Sequence, residues 1–426
     1  MPEFLTLIPP DQARDELLSH VYQRIVDSEL VETIHAVNRF TAADTFAPHP
    51  LPDFPRSTID GYAVCAKDTF GASDTLPAYF TLIGEVPMGD TPSFELGQGH
   101  CALIHTGGMI PNGADAAVMV EYTQQVTGEP DILGSYPREI EIFKSVAGGE
   151  NVIRVGEDVA RGQKVLGKGL QLRPAEIGGL MALGITSVLV AIKPRVGLVS
   201  TGDEVIDPGQ SPRAGQVRDI NSYTLGALVE NCGGMAIRYG IIGDQFGMLK
   251  EVAANALSEC DMLIITAGSS ASTRDMTADV IRTLGKPGVL VHGINTRPGK
   301  PTILGSCGGK AVIGLPGNPV SALVNGYLFV LPVIEKLLGA LPKPKATVQA
   351  RLTVNLPSQA GREDWWPVKL LHTTQNTGMA KGEWLAEPIF GKSNLIFTLA
   401  SSDGLLRIHP DATGLSAGEI VEVMLI

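Results

Sequence analysis

Between residues 196 and about 338, strand-like and helix-like runs alternate, and this limits the fold more than any other feature of the chain. Residues 196–200, 235–241, 262–266, 289–294 and 311–314 are short, apolar and rich in β-branched side chains, as buried strands are. Residues 222–231, 246–258, 276–284 and 320–328 carry helical spacing. Such alternation predicts a mainly parallel sheet covered by helices, with ligands bound beyond the C-terminal strand ends. Those ends carry Thr201-Gly202-Asp203-Glu204, Gly243-Asp244, the run from Ala267 through Gly268, Ser269 and Thr273 to Asp275, and the Pro316–Pro319 loop. Runs of small residues form anion-binding concavities. Carboxylates beside a phosphate site suit Mg²⁺, a hard cation that takes oxygen ligands. Each acid could instead cap a helix, Asp203 and Asp219 foremost.

The stretch from Arg297 to Ala322 concentrates the chemistry. It holds Arg297-Pro298-Gly299-Lys300-Pro301 and Gly314-Leu315-Pro316-Gly317-Asn318-Pro319, with the apolar run 311–313 between them. Glycine permits close approach to backbone, proline fixes loop shape in advance, and a helix start offers N–H groups to an anion. Either loop alone reads equally as a turn. Together, with Arg297 and Lys300 in the first, they predict an anion site.

The remainder divides the 426 residues into modules. Residues 11–30 predict an amphipathic helix, with Ala13, Leu17, Val21 and Ile25 every four residues. Residues 47–57 carry four prolines and are extended, leading into Asp60-Gly61 and a strand at 62–64. Short strands at 79–83, 101–104 and 116–121 predict a β-rich module, which includes Thr106-Gly107-Gly108. Gly156-Glu157-Asp158 places two carboxylates together, and 174–183 predicts a helix started by Pro174 and ended by Gly184. Residues 339–345 resemble a linker. Strands at 347–354, 366–371 and 420–425 predict a small barrel or sandwich bearing Arg362 and the loop Gly391-Lys392-Ser393-Asn394.

A net charge of -12 argues against a broad nucleic-acid surface while leaving room for a local basic pocket. The Cys 5 count is odd and without a CxxC pair, which suits a reducing compartment and speaks against zinc. With no leader-like N-terminus and no apolar run of about 18 residues, the expected location is cytoplasmic and off the membrane.

At this point the motifs carry a resemblance. Ser57-Thr-Ile-Asp-Gly-Tyr-Ala-Val64, Gly113-Ala-Asp115, Asn151-Val-Ile-Arg-Val-Gly-Glu-Asp158, Ser200-Thr-Gly-Asp-Glu204 and the two loops above occur in this order. The chain resembles the MoeA family of molybdopterin molybdenumtransferases and is similar to gephyrin's E domain. The resemblance implies an elongated multidomain α/β plus β chain: an N-terminal helical and linker domain (1–49 and 143–190), a β-rich insertion (50–142), a MoaB/MogA-like α/β domain (191–340) and a C-terminal β-barrel (341–426). It also implies a homodimer with shared active sites and a separate molybdopterin adenylyltransferase partner. The implied reaction is Mg²⁺-dependent insertion of molybdate, or tungstate, into adenylylated molybdopterin with release of AMP.

Carried over by motif, Asp60, Asp158, Glu204, Arg297 and Lys300 are catalytic candidates, and Asp244 and Asp275 are metal candidates. Thr106, Gly268, Ser269, Pro316, Gly317, Pro319, Arg362 and Ser393 are binding candidates. Three departures stand out: Ala267-Gly268-Ser269 where Ser-Gly-Gly is usual, with a shorter loop after it; Arg297 where Lys is common; and Ile59 where Met is usual. The first points to a divergent branch. A catalytically weak molybdopterin-binding scaffold, a tungstate-inserting paralogue and a generic Mg²⁺-dependent phosphate hydrolase are the competing readings. The last leaves residues 1–185 and 346–426 unexplained.

Overall fold

The computed structural model describes residues 7–22, 27–127, 138–266, 271–372 and 382–426, and of 271–275 the backbone only. The alternating region forms one six-stranded sheet. In spatial order its strands are Met235–Ile242, Arg195–Thr201, Met262–Thr266, Lys310–Leu315, Ile303–Cys307 and Pro287–His292. The first four are parallel and the last two join antiparallel.

Side chains alternate between the faces, as the two-residue period of a strand requires. Val196, Leu198, Met262 and Ile264 enter one core with the helices Pro10–His20 and Asn221–Asn231. Val199, Leu263, Ile265 and Val312 enter the other, beneath Phe246–Glu259 and Ala271–Leu284. The sheet is therefore buried on both sides, as the apolar runs predict.

The strand Ile303–Cys307 was not legible as one, and it changes how the two loops relate. A single strand between them would carry them to opposite ends of the sheet. Instead Ile303–Cys307 and Lys310–Leu315 form a hairpin with Ile303 opposite Gly314, so both loops lie at one end.

The expected helix over 11–30 is corrected. It runs from Pro10 to His20, and Ser28–Glu32 is a strand paired antiparallel with Ser187–Ala191. Its last carbonyls find tertiary donors: Lys336 Nζ donates to Leu18 O at 2.5 Å and Ser306 Oγ to His20 O at 2.9 Å. The Tyr22 N–H then donates to Gly309 O, which leads the chain away from the helix.

After the Pro316–Pro319 loop the helical run continues from Pro319 to Leu338, through a wider turn at Gly326–Val330, rather than stopping at 328. At 20 residues it is long and apolar enough to cross a membrane by length and composition only, a test that a mostly buried core helix also passes. Here Val320, Val324, Phe329, Val333 and Ile334 are buried on the sheet.

Residues before and after the inserted module are tied by short ribbons: Thr45–Phe46 with Lys164–Leu166 and Arg56–Ser57 with Val152–Ile153. The insertion is a six-stranded sheet ordered Ala116–Met119, Gly61–Val64, His100–Ile104, Ala78–Glu85, Arg138–Ile142 and Thr123–Thr127. Ile59 packs into its core with Ala63 and Val86. Helix Pro174–Ala182 starts and stops as expected, with Gly184 at φ +66.

At the C-terminus, Glu363–His372, Trp384–Pro388, Thr347–Leu352, Ile420–Leu425 and Gly404–Ile408 close into a barrel, the last pairing back on the first. A short strand of the α/β domain, Thr296–Arg297, adds in parallel to Glu363–Asp364 and seams the two together.

Candidate active site

The C-terminal strand ends open onto two cavities separated by the Pro316–Pro319 loop, with Asn318 in the lining of both. The first, of about 550 Å³, is lined by Ser200, Thr201, Glu204, Asn221, Thr266, Gly317 and Pro319, among others. The second, of about 510 Å³, is lined by Arg297, Lys300, Pro316, Arg362, Lys392 and Ser393. It lies between the α/β domain and the barrel.

The partition is held from both sides. Asn221 Nδ2 donates to Gly317 O at 2.9 Å. From the barrel, Ser393 Oγ accepts from Asn318 Nδ2 at 3.0 Å and the Ser393 carbonyl accepts from the Val320 N–H at 3.1 Å. Pro319 has no N–H and the Val320 N–H is taken by Ser393, so this helix start offers an anion few donors, and the cationic side chains provide the charge. Asn221 is 7% exposed and its Oδ1 has no partner among the described residues, which leaves an acceptor on the wall of the first cavity.

In the first cavity Asp219 is structural, as expected of a cap. It accepts from Ser200 Oγ at 2.7 Å, Ser222 Oγ at 2.6 Å and the Ser222 N–H at 3.1 Å. Asp203 ties neighbouring strand ends by accepting from the Asp244 N–H at 3.0 Å. Asp244 is exposed beside it, while Glu204 lines the cavity. Gly268 and Ser269 lie outside the described residues, as does the side chain of Asp275. No group of three or more His, Cys, Asp or Glu side chains suited to a metal occurs among the described residues. Glu204 and Asp244 are nonetheless hard oxygen donors at adjacent strand ends, chemistry that fits a cation sharing phosphate and water ligands.

The second cavity is cationic. Lys300 and Lys392 have no ion pair among the described residues. Arg362 is engaged: Nε meets Asp364 Oδ1 at 2.7 Å and Nη2 meets Oδ2 at 3.0 Å. Arg297 Nη1 stands 3.9 Å from the same Oδ2, and its guanidinium lies over the Trp366 ring, 5.5 Å from the centroid. Asp364, Trp366, Lys392 and Asn318 were not singled out from sequence. Gly-Arg-Glu-Asp reads as a polar turn until Thr296–Arg297 pairs against it.

Asp60, Thr106 and Asp158 line neither cavity. Asp60 Oδ1 accepts from the Thr106 N–H at 2.9 Å, with His105 Nδ1 at 3.7 Å and His105 Nε2 3.0 Å from Glu85 Oε1. Adjacent strands bring these groups to one end of the inserted sheet. Asp158 rims a separate cavity of about 370 Å³ with Lys164 and Leu166. Among the described residues of one chain, the candidates thus lie in or beside the two adjoining cavities, at the Asp60–Thr106 pair, and at Asp158.

Comparison with known proteins bears on the family. Residues 8–184 match the family description "MoeA N-terminal region (domain I and II)", 197–336 "probable molybdopterin binding domain" and 349–426 "MoeA C-terminal region (domain IV)". The molybdopterin molybdenumtransferase of Haemophilus influenzae is 32% identical, with 97% of each chain covered. That of Bacillus subtilis is 30% identical over 100% of this chain and 96% of its own. A crystal structure of a molybdopterin biosynthesis MoeA protein from Pyrococcus horikoshii aligns with TM-score 0.84 at 32% identity, covering 99% of this chain and 100% of that one. On its three matched regions and near-complete coverage, the chain belongs to the MoeA family of molybdopterin molybdenumtransferases, transferases of molybdenum-cofactor biosynthesis.

Proposed function

We propose that this protein transfers molybdenum to molybdopterin, taking the adenylylated form and molybdate and releasing AMP. The observation that carries the reading is the pair of cavities sharing Asn318: one with hydroxyls, an amide oxygen without a partner among the described residues and Glu204, the other with four cationic side chains. The first suits the pterin and its phosphoanhydride, and the second a tetrahedral oxyanion. Lys300, Arg297 and Lys392 neutralise oxyanion charge, and the Pro316–Pro319 partition sets the spacing between the two substrates. Rate enhancement then comes mainly from positioning and fixed charge.

Mg²⁺ would be held by Asp244, with Glu204 and Asp275 the further candidates, and when bound it supplies charge neutralisation at phosphate oxygens. Asp60 with Thr106, and Asp158, would complete the site from a second copy. The exposed apolar side chains Leu30, Ile34, Leu189 and Ile192 support such a homodimer, Leu30 and Leu189 being direct cross-strand partners. A separate adenylyltransferase would supply the substrate, in the cytoplasm.

The test is AMP release from adenylylated molybdopterin with Mg²⁺, molybdate or tungstate being added in parallel. Release dependent on one oxyanion names the metal. Asp275→Asn should abolish turnover, and unchanged turnover would remove Asp275 from the chemistry. Tight substrate binding without AMP under either oxyanion would replace the enzyme reading with a pterin-binding scaffold.

A further inference from the structure

We infer that Asp364 is a positioning residue of the cationic cavity, fixing two guanidinium groups from different parts of the fold at one separation. The inference rests on the oxyanion reading of that cavity. Asp364 is 1% exposed, and both its oxygens are engaged by Arg362 in a bidentate pair. The same carboxylate faces Arg297, whose backbone is its direct partner in the short parallel pairing that seams the barrel to the α/β domain. Trp366 lies beneath Arg297 and is itself braced by Phe390, edge-on with ring centroids 5.6 Å apart.

A buried carboxylate is costly and works against anion binding: it lowers the positive potential of the cavity. Charge therefore does not account for it; geometry does. Without Asp364, Arg297 and Arg362 would repel each other, and Arg297, already 57% exposed, would turn to solvent. With it, two N–H groups of Arg362 are fixed and the other three remain for a ligand in a set orientation.

This gives opposite expectations for Asp364→Asn, a near-isosteric change that removes one negative charge. If the cavity works by charge alone, oxyanion affinity rises. If Asp364 positions the guanidiniums, affinity falls, by about tenfold or more. The measurement is calorimetric titration of the purified full-length protein with molybdate and with tungstate, which needs no turnover. The KM for oxyanion in AMP release is measured beside it, and the rise should fall mainly on KM rather than kcat.

Wild-type protein that binds neither oxyanion would overturn the cavity reading and this inference with it. Wild-type binding with equal or tighter binding by Asp364→Asn would overturn the inference alone. Should Asp364→Asn fail to fold, Arg362→Lys keeps the charge and loses the fork. It should then show the same tenfold weakening, and unchanged affinity would overturn the inference.

Discussion

Gly299 sits at φ +107, and a Cβ placed on it would fall on the Asn325 amide, which donates to Pro298 O at 3.2 Å and Ser321 O at 2.8 Å. Gly299→Ala should cost about 1–3 kcal/mol from backbone strain alone, with more from displacing Asn325. A lowered Tm together with weakened oxyanion binding checks it, since the cationic loop rests on that amide. Residues with a local signature were legible: the prolines and glycines of both loops, Arg297, Lys300 and the Asp219 cap. Asp364 and its neighbour Glu363 were not, because their burial comes from pairing with residues far away in sequence. Glu363 is 2% exposed, accepts from Trp365 Nε1 at 2.6 Å and binds Arg407. Nothing in Gly-Arg-Glu-Asp announces two buried acids.

The helix Pro10–His20 shows what pattern reading reaches at the scale of an element and where it stops. Its apolar face was legible: Ala13 and Leu17 are both fully buried against the sheet and the Pro319–Leu338 run. Its end was not, because the terminating donors Lys336 and Ser306 lie about 300 residues away. The missed strand Ile303–Cys307 did carry a local sign in Gly308-Gly309, at φ 58 and 79, which is hairpin-turn chemistry. Leu17→Ala should destabilise by about 2–5 kcal/mol, read as a Tm drop.

The helix is also docked electrostatically, through Asp11 to Arg407 and on to Glu363. Partial burial raises the Asp11 pKa, but the Arg407 hydrogen bond and charge, joined by Arg14, outweigh it and hold the carboxyl below its ordinary value. A depressed carboxylate pKa adds stability above the unfolded value of 3.8 and loses it as pH falls through the folded value. Asp11 is half-exposed, so the pair is worth less than about 1 kcal/mol. Asp11→Asn should lower Tm slightly at pH 7, and the gap to wild type should close on acidification below about pH 4.

Across the whole molecule, the order of modules was legible because each has its own period: alternation in the α/β domain, short strands with turns on either side of it. The joining of modules was not, because it depends on residues far apart in sequence: Thr296–Arg297 against Glu363–Asp364, and Trp365, Leu399 and Leu405 packed into the α/β core. Nor does one chain bring together all the candidates among its described residues, and the proposed second copy would do so. A Leu30→Glu/Leu189→Glu double variant should elute at monomer mass in size-exclusion chromatography. Its circular dichroism should match wild type and its AMP release should be lost; retained release by a monomer would confine the site to one chain.

The seam has a consequence for how the cationic cavity is maintained. Besides those two residue pairs, Trp365, Leu399 and Leu405 of the barrel share a buried core with the α/β domain, and Ser393 and Arg407 bond across the junction, while the exposed segment 341–346 tethers the two at an effective concentration on the order of millimolar. Cleaving after Lys345 with trypsin would cut no strand or helix and break no residue of the cavity. The two pieces should stay associated through that shared core and keep the anion site, and oxyanion affinity lost on dilution of the cut protein would show that the tether is needed as well.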